Sequence, residues 1–488
     1  MNTLSAPVKL DTFNGYTPIS SSTTDLEQGS TDTEREGSSE GLEEELVWQN
    51  SAKHNSSSST SLLIKQLLLF LGGVVVGVSA LSLGSYLFTS TPRGKNHSFP
   101  SSGSHKPNSN SLSPETLSFD YTSNPPVRIH HLDLPIQNSH SPLLPPSQCP
   151  IPVVYSSDRE SADIVVVNAD SHQGMTSDEL REWREKRPWQ RTAVRGVESA
   201  PNRDRLEEHF DKLRQGRRNE TYDYEMTYRL NSTVPTTYSY NYFNYSNPPV
   251  PYASKRQDRI AASFISNCHP KNARTLVLDE LTRLLEGRID NYGSCHNNAN
   301  ADEQLREMGH YEEVGKNHNN WNTKITMINY YLFSIAFENS NDYDYVTEKY
   351  FQALERGSVP LVFGAPSYSS RFFPSPNAGI DISSYLPSNY TLPSRSDSKA
   401  PETLSEQAKV GLKRLAERLE FLSSEEGREE YESMLDWKKD GKWLKDSENP
   451  LARIVKLSTS QWDQDCRLAG VYRGEDWAKS QYTDLIPS

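Results

Sequence analysis

The chain has 488 residues, enough for two or three domains of ordinary size, with 34% apolar residues and a formal net charge of −13. That charge excludes a nucleic-acid partner held by phosphate neutralisation, because no block of Lys and Arg supplies the basic face such binding requires. The apolar residues are unevenly distributed, so a core can form in only part of the chain.

Residues 1–66 are dominated by Ser, Thr, Asn, Asp and Glu, bury too little apolar surface to offset chain entropy, and are predicted to be a disordered cytosolic tail. Residues 67–88, LLLFLGGVVVGVSALSLGSYLF, carry no charge over a length that crosses about 30 Å of hydrocarbon as a helix, which predicts one transmembrane helix. It starts too late in the chain for a cleaved signal peptide. Lys53 and Lys65 before the span face Arg93, Lys95 and Lys106 after it, so loop charge does not orient it. Sequons do: Asn96, Asn219, Asn231, Asn244 and Asn389 each begin N-x-S/T beyond the span and only Asn55 does so before it, which favours a lumenal C-terminal side.

Residues 89–147, rich in Ser, Pro, Asn and His, read as an extended stem, with the folded part expected from residue 148. PVVYSS and ADIVVVNAD then read as buried strands, and SDELREWREKRP as a helix ended by Pro188. This gives a first α/β lobe over 148–250, closed by the Tyr/Asn-rich stretch TYSYNYFNYSNPPVPY, whose prolines suit a linker. A second lobe over 251–400 follows the order IAASFISN (strand), NARTLVLDELTRLLEG (helix), RIDNYG (strand), KITMINYYLFSIAFE (helix into strand), VTEKYFQALERG (helix) and SVPLVFGAP (strand), with Gly357 as a helix C-cap. Residues 401–488 are helix-rich and are expected to pack across both lobes.

Glu338 falls at the carboxyl end of a predicted strand, and Tyr345, Glu348 and Lys349 fall at the start of the next helix. In open α/β sheets ligands bind at such strand ends, and a helix N-terminus favours phosphate, so a sugar nucleotide fits this segment.

FENSNDYDYVTEKYFQAL followed by GSVPLVFGAP resembles the donor-binding signature of the α1,3-fucosyltransferase family, glycosyltransferase family 10. FISNCHPKNARTLVLDEL, VRGVESAP and YEMTYRLNSTVP are similar to its upstream segments in the same order, and SNCHPKNAR with IDNYGSCHNN resembles the plant and invertebrate branch that fucosylates the N-glycan core. The resemblance implies a GT-B fold of two Rossmann-like lobes and an inverting transfer of fucose from GDP-fucose to a glycoprotein N-glycan. It implies a single-pass type II Golgi membrane protein, with outer lactosamine-type GlcNAc or an inactive glycan-binding protein as alternatives. Glu198 matches the catalytic base, Arg274 and Lys349 the phosphate-contacting cations, and Glu338, Asn339, Tyr345 and Glu348 the other donor-site residues. No cofactor is implied as required; a divalent cation such as Mn2+ is expected at most to stimulate.

The acceptor side departs from the family pattern: RTAVRGVE lacks the tryptophans usual before the base, ESAP inserts Ala200, and YRLNST lacks the usual acidic residues. Asp342-Tyr343-Asp344 spells D-x-D, which holds a metal in another glycosyltransferase class but arises by chance in a charge-rich loop, so no metal site is expected. His269, His296, His310 and His318 lack zinc-ligand spacing with the cysteines. Cys149, Cys268, Cys295 and Cys466 predict one or two disulfides, with three possible full pairings.

Overall fold

The computed structural model describes residues 124–132, 149–171, 174–239, 243–314, 320–439, 441–458 and 463–479. The expected tail over 1–66 and membrane span over 67–88 lie outside these residues, and no helix among the described residues is long and apolar enough to cross a membrane.

Two five-stranded sheets organise the molecule, and every strand pair in them is parallel. The first contains β1 (Val127–His131), β2 (Val153–Tyr155), β3 (Ile164–Asn168), β4 (Arg191–Gly196) and β5 (Tyr224–Thr227), in the order β2-β1-β3-β4-β5. The second contains β6 (Ala261–Ser263), β7 (Ile289–Asn291), β8 (Phe333–Phe337), β9 (Val359–Phe363) and β10 (Ile380–Asp381), in the order β10-β9-β8-β6-β7. β8 and β9 are buried at every residue, the continuous apolar run expected of a strand covered on both faces.

Helices α1 (Ser177–Lys186) and α2 (Asp204–Arg214) cover the first sheet, and α3 (Arg274–Leu284) and α4 (Glu348–Arg356) the second. Local chemistry sets their ends: Thr176 and Glu179 form a reciprocal capping box at the start of α1, which stops before Pro188. α4 ends on Gly357 in the left-handed conformation, φ 65°, as its sequence predicts.

β1 was not legible in the sequence and corrects the expected boundary. It lies inside the stretch assigned to the stem, yet it sits between β2 and β3 with Val127 and Ile129 buried, so the first lobe begins upstream of residue 148. The presumed linker is likewise packed: Tyr238, Phe243 and Tyr245 are buried, Phe243 lies 6.0 Å from Phe351 between ring centres, and Tyr245 meets Trp443 edge-on at 5.7 Å.

The C-terminal segment serves both sheets. α5 (Glu406–Leu422) lays Leu412, Leu415 and Leu419 in one apolar cluster with Val277 and Leu281 of α3. α6 (Pro450–Ser458) joins a cluster holding Val165 and Leu206 of the first lobe together with Tyr350 and Phe351 of α4. α7 (Gln464–Arg473) packs beneath the first sheet and is bonded to its lobe by the Cys149–Cys466 disulfide.

A fragment starting at residue 148 therefore lacks a central strand. Losing the burial of Val127 and Ile129 costs roughly 1.5–3 kcal/mol for each side chain, and β2 and β3 also lose their shared ladder partner. Expression of fragments starting at 148 and at 118 should give aggregate from the first and a cooperatively melting protein from the second. Equal melting of the two would show that β1 is dispensable.

Candidate active site

The carboxyl end of β8 delivers Glu338, whose side chain is fully buried. Its carboxylate accepts from the Thr347 amide at 2.8 Å, the Thr347 hydroxyl at 2.9 and 3.0 Å, and the Tyr368 hydroxyl at 2.9 Å, and lies 3.5 Å from Lys349 Nζ. Burial pushes Glu338 above the ordinary carboxylate range and Lys349 draws it back. Room for this side chain comes from Gly364, φ 124°, where an added Cβ would fall 2.8 Å from the Cβ of Glu338. This explains the glycine after the apolar run of β9.

Thr347 is also the N-cap of α4, so one buried carboxylate fixes the strand end and the start of the helix together. The first residues of that helix are Glu348 and Lys349. Glu348 lies 3.7 Å from Lys349 and 3.5 Å from Lys324, and although burial alone would raise it, these two cations hold its carboxyl at about 2. Lys324, on the Asn320–Ile328 helix, was not singled out from sequence, because its partner lies 24 residues away.

Arg274 opens α3 and is 2% exposed. Its guanidinium donates to the Asn267 carbonyl at 2.6 Å and to the Phe337 carbonyl at 3.3 Å, beside Glu338. Asn272 donates to the Glu338 carbonyl at 3.1 Å and to Asn341 Oδ1 at 2.9 Å. Arg274, Glu338, Glu348 and Lys349 thus share the carboxyl end of the second sheet.

Glu198 follows β4 in the other lobe and is also buried. The turn that presents it is held by Asp170, which accepts from the Val197 amide at 3.1 Å and the Glu198 amide at 3.4 Å and pairs with Arg203 at 3.3 Å. Glu198 Oε1 accepts from the Ser199 amide at 2.7 Å, the Ser199 hydroxyl at 3.0 Å and Asn202 Nδ2 at 3.0 Å within its own lobe. From the second lobe it accepts from the Tyr345 hydroxyl at 2.8 Å and Asn339 Nδ2 at 3.3 Å. The expected base and two expected donor-site residues therefore form one network across the seam, which Ser340 continues by donating to Ser199 Oγ at 2.6 Å. Asn339 Oδ1 is buried without a hydrogen-bond partner among the described residues.

The D-x-D triplet has a structural use. Asp342 pairs with Arg229 at 2.8 Å, accepts from the Tyr228 hydroxyl and from the Ala200 amide at 3.3 Å. Asp344, held at φ 61°, pairs with Arg371 at 2.8 Å and accepts from the Leu230 amide at 3.1 Å. Burial opposes the charge of Arg229, but Asp342 and Tyr228 together more than offset it, and Phe210 covers the guanidinium with its ring centre at 3.6 Å. Tyr228 and Arg229 belong to the YRLNST segment, whose missing acidic partner is supplied by Asp342, more than a hundred residues away in sequence. Among the described residues no group of three or more His, Cys, Asp and Glu is arranged to hold a metal ion.

Two measurements check these ion pairs. Asp342→Asn leaves the buried Arg229 uncompensated and should lower unfolding free energy by about 3–5 kcal/mol in urea titration, a loss that added divalent cation would not restore. A neutral outcome would mean that water reaches this pair. The folded value of Glu348, about 2, lies below its ordinary 4.5, so its stabilisation is complete above about 4.5 and disappears as pH falls toward 2. The melting-temperature gap between wild type and Glu348→Gln should accordingly close across that acid range, and a gap independent of pH would contradict the assignment.

Residues 254–391 match the sequence model of the glycosyltransferase family 10 (fucosyltransferase) C-terminal domain. A putative fucosyltransferase-like protein of Arabidopsis thaliana is 35% identical over 201 residues, 40% of this chain and 33% of that protein. Glycoprotein 3-alpha-L-fucosyltransferase A of Drosophila melanogaster is 32% identical over 149 residues, 28% of this chain and 25% of that protein. GDP-fucose protein O-fucosyltransferase 3 of Homo sapiens is 30% identical over 139 residues, 28% of this chain and 27% of that protein. The matches thus span about a quarter to a third of these relatives' lengths. A solved α1,3-fucosyltransferase aligns at 14% identity with a TM-score of 0.33, covering 72% of this chain and 95% of that one.

Proposed function

We propose, from the match of residues 254–391 to the glycosyltransferase family 10 model, that the protein transfers fucose from GDP-fucose to a glycoprotein with inversion at the anomeric carbon. The observation that carries this reading is the seam network, in which Glu198 of one lobe is held by Tyr345 and Asn339 of the other, Asn339 following directly on Glu338, which lies 3.5 Å from Lys349.

In the reaction the acceptor hydroxyl gives its proton to Glu198 as its oxygen bonds to the anomeric carbon, while the bond from that carbon to the GDP oxygen breaks. Lys349 and Arg274 balance the charge that develops on the departing diphosphate. Glu338 and Glu348 keep Lys349 in place, and Asn339 Oδ1 offers an acceptor to a fucose hydroxyl. Asp342 and Asp344 are committed to Arg229 and Arg371, so the proposed chemistry requires no metal from them, and Mn2+ would act only as a stimulant.

The favoured acceptor is a GlcNAc of the N-glycan core, on the likeness of SNCHPKNAR and IDNYGSCHNN to the core-fucosylating branch, with outer lactosamine-type GlcNAc as the alternative glycan. A protein hydroxyl is a second reading, favoured by relatives named as GDP-fucose protein O-fucosyltransferases. The uncharged run 67–88 and the five sequons beyond it support a type II Golgi membrane protein with a lumenal catalytic part.

Fucosyl transfer from GDP-fucose should be measured in EDTA against N-glycan cores, lactosamine chains and unglycosylated folded domains. Transfer is expected to persist, and Glu198→Gln should lower it by roughly 10²- to 10⁴-fold while GDP still binds. Near-normal turnover by Glu198→Gln would remove it as the base, and loss of wild-type transfer in EDTA would return a metal to the mechanism.

A further inference from the structure

Two cysteines stand outside the Cys149–Cys466 bond: Cys268 is exposed and Cys295 buried. They lie on the loops that leave the carboxyl ends of β6 and β7, which are neighbours in the second sheet. Gly293 lets these loops meet backbone to backbone, because a Cβ there would fall 2.0 Å from the Ile265 carbonyl oxygen. Beside that contact the Cys295 amide donates to the Ile265 carbonyl at 3.1 Å, and the Ser294 hydroxyl donates to the Ser266 carbonyl at 3.1 Å. The Cys268 thiol lies 3.7 Å from the Ser266 carbonyl, and burial first and Cys268 second push the Cys295 thiol up to about 12.

The loop carrying Cys268 is also the support of the candidate donor site. Its Asn267 carbonyl holds the Arg274 guanidinium at 2.6 Å, and its Lys271 amide donates to the Asn339 carbonyl at 2.7 Å. We propose that Cys268 and Cys295 close a second disulfide, which clasps this loop to the turn after β7 and thereby fixes the carbonyl that orients Arg274. In forming it, the two thiols lose two protons and two electrons to an oxidant of the disulfide class, such as oxidised glutathione. The exposed Cys268 sulfur first forms a mixed disulfide with one half of the oxidant, and Cys295 then displaces that half as a thiol.

The test uses the full chain made in an oxidising host, denatured in N-ethylmaleimide without reductant, digested and mapped by mass spectrometry. A linked peptide pair containing Cys268 and Cys295, beside the Cys149–Cys466 pair, is expected; maleimide on both residues, or linkage to any other cysteine, overturns the bond. The positioning claim rests on the donor reading above and is measured separately, by titrating GDP into Cys268→Ser and into the Cys268→Ser/Cys295→Ser variant. The dissociation constant should rise roughly 3- to 30-fold, the range for residues that act on a site through its supports. Retained thermal unfolding with unchanged GDP affinity overturns the positioning claim. Wild-type protein that binds no GDP overturns both that claim and the donor reading, while the peptide map still decides the bond.

Discussion

A carboxylate taken wholly out of water at the end of β8 is the constraint around which the rest of the site is arranged. Glu338 has to be supplied with donors or it could not stay buried, and it draws them from the N-cap of α4, from Tyr368 and from Lys349. Meeting that requirement fixes where α4 begins and therefore where Glu348 and Lys349 stand. Gly364 is the counterpart on β9, since the space occupied by Glu338 is the space a side chain there would take.

The second lobe was readable because its elements announce themselves locally. VPLVF and FSIAF are uninterrupted apolar runs, and the helix between them closes on Gly357, so period, length and cap agree. The expected site residues of this lobe cluster for the same reason, since they sit at the strand end and helix start that those signals locate. β1 could not be read in this way. VRIHH is short, carries two histidines and a cation, and follows a Pro-Pro pair, so only its partners on either side make it a strand.

Long-range pairing hid the remaining features. The partner of Arg229 is Asp342, and no spacing rule joins residues from different lobes. The aromatic stretch before the second lobe looked like a connector because of its prolines and asparagines, yet Phe243 and Tyr245 fill space between α4 and Trp443. Composition reports that such residues can be buried, whereas topology decides that they are.

The Cys149–Cys466 bond joins positions separated by 317 residues, from the segment just before β2 to α7. A ribosome adding 5–20 residues per second exposes Cys149 roughly 15 to 60 s before its partner emerges. Cys268 and Cys295 appear in that interval, so the earliest thiols available to Cys149 during synthesis are the wrong ones. Vectorial oxidation in chain order would therefore trap a bond across the two lobes. The native pairing therefore requires that Cys149 stay reduced until Cys466 emerges, or that a first, wrong partner be exchanged for it.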